Sequence, residues 1–181
     1  MFCTHKIFAI LTIFLMAFLL QPTVTRAEDV IMSLAPSTGT FRVDDEVDFQ
    51  VTVTSGNETV RAVEGTISYN PKELAIVNVF TQNSVLSSWT QKPYVDRELG
   101  LIEFGGTLST STKLSGSTIF TIRARGERAG NTALIIQRGT VLNISEEGIA
   151  SNALTGTKSG EKYVILPEEL VDTSPPTPLA V

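Results

Sequence analysis

The sequence predicts an all-β domain, an antiparallel sandwich of about nine strands. Three observations predict it. Apolar and polar residues alternate with period two in several runs, turn residues recur every 8–15 positions, and no window of a dozen residues after position 28 keeps a 3.6-residue period. Val, Ile, Thr, Ser and Gly are abundant while aromatic residues make up only 7% of the 181, the composition of short strands joined by turns.

Residues 30–35 form the first predicted strand. Glu46–Thr54 is the clearest one, with Val47, Phe49, Val51 and Val53 on one side and charged or polar residues on the other. Ser55-Gly56-Asn57-Glu58 makes a turn, and Val60–Tyr69 follows with Val63, Gly65, Ile67 and Tyr69 facing one way and Ala62, Glu64, Thr66 and Ser68 the other. Pro71 cannot join a ladder, so Asn70-Pro71-Lys72-Glu73 ends that strand, with at most one helical turn before Leu74–Phe80 begins the next. Residues 101–108 turn Ile102, Phe104 and Leu108 inward and Glu103 outward. Residues 118–125 bury Phe120, Ile122 and Ala124 and expose Thr121, Arg123 and Arg125. Residues 132–137 and 140–144 read as two short strands split by Arg138-Gly139, and residues 162–166 close the domain.

The ends differ in kind. Lys6 leads into residues 7–20, fourteen uncharged positions with Thr12 as the one polar interruption, and Thr25-Arg26-Ala27 supplies small residues where a signal peptidase reads. A spanning helix needs about 20 apolar residues, so residues 1–27 read as a signal peptide and residues 28–166 as the domain. Four of the eight prolines fall in residues 167–181, an extended Pro-rich linker or tail. The expected location is extracellular or at the cell surface, with no membrane span in the mature chain.

Composition excludes much chemistry. Cleavage before Glu28 leaves 154 residues with 12 basic and 19 acidic side chains, a net charge of −7, which disfavours nucleic acid. Cys3 and His5, the single cysteine and histidine, fall inside the signal peptide. The mature chain thus has no thiol or imidazole for a nucleophile–histidine pair or for zinc or copper, and we expect no catalytic residues, no metal and no cofactor. Asp44, Asp45, Glu46 and Asp48 are the densest acid cluster, but they lack the spaced ligands of a calcium loop and read as a turn followed by the wet face of a strand. Asn57-Glu58-Thr59 and Asn143-Ile144-Ser145 match the N-glycosylation pattern, which arises often by chance.

Tyr69-Asn70-Pro71-Lys72-Glu73-Leu74, between an alternating strand and Ala75-Ile76-Val77, resembles the Y-D-P-x-x-L signature of cohesin domains. Leu34-Ala35-Pro36-Ser37-Thr38-Gly39-Thr40-Phe41 and the strand after Asp45 are similar to that family's opening. Leu101-Ile102-Glu103-Phe104 and Ile119-Phe120-Thr121-Ile122-Arg123-Ala124 occupy the order of its later core strands. The resemblance implies a nine-stranded jelly-roll β-sandwich that is not an enzyme and that holds a dockerin-like or other extracellular protein through one sheet face, in scaffolding or adhesion. By that likeness Glu64 takes the place of a partner-binding acid, Ala62 replaces an asparagine, and Asn70 replaces the corner Asp.

The predicted partner-binding set is therefore Glu64, with Thr66, Ser68, Glu103, Arg123 and Arg125 near it if the strands pair as in cohesins. The alternative is a carbohydrate-binding module that holds polysaccharide through the loop aromatics Trp89 and Tyr94, since exposed rings stack on sugar faces.

Overall fold

The computed structural model describes residues 29–144 and 147–169. The predicted signal peptide and most of the Pro-rich tail lie outside the described residues. Twelve strands follow in chain order: β1 (Ile31–Ala35), β2 (Thr38–Arg42), β3 (Glu46–Thr54), β4 (Val60–Tyr69), β5 (Leu74–Phe80), β6 (Ser88–Asp96), β7 (Leu101–Thr112), β8 (Ser117–Gly126), β9 (Gly130–Ile144), β10 (Ala150–Asn152), β11 (Gly156–Lys158) and β12 (Gly160–Leu166). The bounds of β3, β4 and β5 coincide with those read from the sequence; β3 and β4 have one buried and one wetter face, and β5 follows the turn at Pro71.

The strands form two packed sheets. One runs β11-β1-β3-β8-β5; the other runs β2-β12-β9-β4-β7-β6, with β10 pairing β9. Most neighbours are antiparallel, but β1 pairs β11 and β2 pairs β12 in parallel. Phe49, Val51, Val53, Ile67, Leu74, Ile102, Ile119, Ile122 and Leu134 are among the residues buried between the sheets. Edge-to-face aromatic pairs tie one sheet to the other: Phe49 of β3 with Tyr163 of β12 at 4.9 Å, and Phe104 of β7 with Phe120 of β8 at 4.7 Å.

Four expectations are corrected. Twelve strands are present among the described residues rather than about nine, and two pairings are parallel. The two strands expected around Arg138-Gly139 are one strand, β9. It stays continuous by bulging where Thr66 pairs Arg138 and Ile67 pairs Ile136, so Gln137 is the extra residue. Residues 88–96, read as loop, form edge strand β6, whose alternation two register shifts interrupt. Around Pro71 the chain makes a single hydrogen-bonded turn, within the one turn expected there: Glu73 and Leu74 N–H donate to Asn70 C=O, and Lys72 N–H donates to the Asn70 side-chain oxygen.

Candidate functional site

The outer face of the seven-stranded sheet is built from β9, β4, β7 and β6, and strand parity decides what it shows. Residues directly opposite across a ladder share a face. Thr66 lies opposite Arg138 on β9 and Glu103 on β7, and Glu103 lies opposite Tyr94 on β6. One row across four strands therefore reads Arg138, Thr66, Glu103, Tyr94. The adjacent row reads Thr140, Glu64, Gly105, Gln91, and on the other side Ser68 lies between Ile135 and Leu101.

Gly105 shapes the middle of this face. With no side chain to fill the space, Thr90 and Glu64 close over its backbone; a Cβ there would sit 2.9 Å from Thr90 Oγ1 and 3.5 Å from the Glu64 Cβ. Beside it lies a shallow hollow of about 190 Å³ lined by Glu64, Thr66, Gln91, Glu103, Arg138 and Thr140. Glu64 and Glu103 are exposed, and among the described residues neither they nor Arg138 make an ion pair or side-chain hydrogen bond. Two carboxylates and one guanidinium thus stand on a sheet surface with their hydrogen-bonding capacity free.

The sequence places Arg123 and Arg125 correctly outward but in the wrong company. Both belong to β8, in the five-stranded sheet, on the opposite side of the sandwich from Glu64. There they are already engaged. Arg123 donates two hydrogen bonds to Asp48, at 2.7 and 2.8 Å, and its guanidinium lies 4.9 Å from the Phe80 ring centroid. Arg125 pairs with Glu127 at 2.8 Å and reaches Asp44 at 3.8 Å. The Arg123 fork holds the Asp48 carboxyl below its ordinary pKa, since a carboxylate accepting charge-assisted bonds favours its ionised form. This face is a closed ladder of opposite charges, so Glu64, Thr66, Ser68 and Glu103 come together and the two arginines do not join them.

The two aromatics are also corrected. Trp89 and Tyr94 lie on strand β6 rather than a loop. Trp89 is opposite Gly106 and packs against the core, whereas Tyr94 is 60% exposed and faces out beside Glu103. Rings on opposite sides of one strand cannot make a common platform. Arg138 is the residue that sequence reasoning missed; it sits in what looked like a turn, and only its pairing with Thr66 brings it to the face. Among the described residues no group of three or more His, Cys, Asp or Glu could hold a metal ion.

No family model and no curated protein matches the chain. Solved structures do. The seventh ScaB type I cohesin from Pseudobacteroides cellulosolvens matches with a TM-score of 0.63 at 9% identity, over 81% of this chain and 97% of that one. A type I cohesin–dockerin complex from Clostridium thermocellum matches at 0.59 and 9%, over 77% and 94%. A non-cellulosomal cohesin from the archaeon Archaeoglobus fulgidus matches at 0.55 and 15%, over 76% and 90%. The described residues form a β-sandwich with the cohesin fold.

Proposed function

We propose that the chain is a non-catalytic binding module that holds a dockerin-like protein through the outer face of β9, β4, β7 and β6. The observation that carries this reading is the contrast between the two sheets. On the five-stranded sheet Arg123 and Arg125 are both paired with acids, while Glu64, Glu103 and Arg138 on the seven-stranded sheet are left free. Free charges on a flat, hydrogen-bonded sheet steer and orient a partner, and they are costly to a wrong one. Several solved structures of this fold are cohesin–dockerin complexes, which supports a partner of that kind. The hollow lined by Glu64 and Glu103 suits a cationic side chain of the partner, and Arg138 suits a carbonyl or carboxylate beside it.

Export through residues 1–27 belongs to the same reading, and no helix among the described residues is long and apolar enough to cross a membrane. The polysaccharide alternative through Trp89 and Tyr94 is the weaker one, because those rings face opposite ways.

The test is retention of a secreted-fraction protein by the immobilised full chain, compared with Glu64→Lys, Glu103→Lys and Arg125→Ala. The expected result is retention by wild type and Arg125→Ala and loss with either lysine variant. If Glu64 meets a cation buried on the partner, its replacement costs about 2–5 kcal/mol of binding. Retention by all three variants, or loss with Arg125→Ala alone, overturns the assignment of the face.

A further inference from the structure

The outer face of the seven-stranded sheet is complementary to itself. Read across β9, β4, β7 and β6, one row presents a guanidinium, a hydroxyl, a carboxylate and a phenol, from Arg138, Thr66, Glu103 and Tyr94, and the next presents Thr140, Glu64, Gly105 and Gln91. Among the described residues Glu64, Thr66, Gln91, Glu103, Arg138 and Thr140 make no ion pair or side-chain hydrogen bond. The Tyr94 ring is 60% exposed at one edge of the face, and the Arg138 guanidinium stands free at the other.

A two-fold axis laid along the strands, midway between β4 and β7, turns each row end for end and sets it on the same row of a second copy. Arg138 then meets the second copy's Tyr94, and a guanidinium is attracted to an aromatic ring face. Glu103 meets the hydroxyl of Thr66. In the next row Thr140 meets Gln91, and Glu64 meets the gap at Gly105, beside which Thr90 offers a hydroxyl: its Oγ1 lies 2.9 Å from where a Gly105 Cβ would sit. Every contact occurs twice, as isologous pairing requires. In neither row does acid face acid or base face base. An axis along β4 itself would set Glu64 against Glu64, and one along β7 would set Glu103 against Glu103, so charge selects the axis between them.

We propose that, when no other partner holds it, this face binds the same face of a second copy of the chain. The dimer rests on the face being a protein-binding surface, as proposed above, and it adds a form of regulation: copies held close together mask one another, and a partner must displace the second copy to dock. Four strands about 4.8 Å apart, with about five residues of each, give a footprint on the order of 400 Å² per copy, about half of what a standard interface buries. The dimer is therefore weak, a monomer below about 10 µM and increasingly paired toward about 1 mM.

The experiment follows sedimentation velocity and backbone amide shifts of the isotope-labelled full chain from about 10 µM to about 1 mM. The expected result is concentration-dependent dimer formation with shifts centred on β9, β4, β7 and β6. Tyr94→Arg and Arg138→Glu should each weaken the dimer about tenfold, because each substitution acts at two symmetric contacts. The double variant, Tyr94→Arg with Arg138→Glu, should restore it, since opposite charges again face each other. Arg125→Ala, on the other sheet, should leave the dimer unchanged. Tyr94 and Arg138 are both exposed, and a thermal melt verifies that each variant folds. A chain that is monomeric at about 1 mM, shifts centred on another face, or a double variant no tighter than its parents overturns the proposal. A monomeric chain that still retains a dockerin-like protein loses only the dimer, whereas a dimer whose face retains no other protein loses only the dockerin assignment.

Discussion

Tyr163 reaches through the core to donate its hydroxyl to Pro36 C=O at 2.5 Å, and burial pushes its phenol up to about 12. The unfolded chain would ionise this phenol near pH 10, so the folded state holds the proton more tightly. The stabilisation is complete below pH 10 and drains away as the pH rises from there to about 12. Tyr163→Phe should cost about 1–2 kcal/mol at neutral pH, by leaving the Pro36 carbonyl unpaired. It should also flatten the alkaline limb of a denaturant-midpoint-versus-pH curve. Asp48 has the opposite sign. Its pKa is lowered by Arg123, so its contribution is present above the ordinary carboxylate range and is lost as the pH falls below about 4. Asp48→Asn should reduce acid sensitivity in that window and leave the curve above pH 6 parallel to wild type. Neither role was legible beforehand. Parity marked Asp48 and Arg123 as outward, but it cannot say that they stand opposite each other.

Individual strands were legible where one face is dry and the other wet, as in β3 and β4. β6 escaped because it is an edge. It carries Lys92 and Pro93 and two register shifts, so its alternation breaks, and the same features protect an exposed edge from pairing with another chain. Restoring the alternation with Lys92→Val and Pro93→Thr should produce concentration-dependent association in sedimentation velocity. Glycine at the start of β7 has a different task. Gly100 sits at φ 65°, accepts a hydrogen bond from Tyr69 N–H at 2.9 Å, and a Cβ there would be driven into the Tyr69 carbonyl oxygen. Gly100→Ala combines a left-handed backbone with a backbone clash and should cost roughly 2–4 kcal/mol, read as a lowered Tm. A strand-by-strand reading also could not show that β9 is a single element. Arg138-Gly139 looks like a break between two strands until β4 is laid beside it.

At the scale of the molecule, the stability comes from the apolar layer between the sheets, since no cysteine occurs after Cys3. Reductant should therefore leave the melting temperature of residues 28–166 unchanged. Phe104→Ala removes the ring that meets Phe120 across the layer and should cost about 3–5 kcal/mol. The sandwich class followed from local periodicity, whereas the division of strands between sheets did not. That division is a property of long-range pairing, and it is what separated Arg123 and Arg125 from Glu64. One such pairing sets how the domain would respond to a pull on its ends. The domain begins at β1, whose Ile31 lies opposite Thr54, and β1 and β2 run toward Val43, whose N–H bonds Leu166 at the far end of β12. Entry and exit are thus at opposite ends, and β2 and β12 lie side by side in parallel, registered from Thr38 with Lys162 to Arg42 with Leu166. Tension drawn along the polypeptide between those ends would slide these two strands past each other. It would load all their hydrogen bonds together in shear rather than peel them apart one at a time, which suits a tether that keeps its shape while something pulls on it.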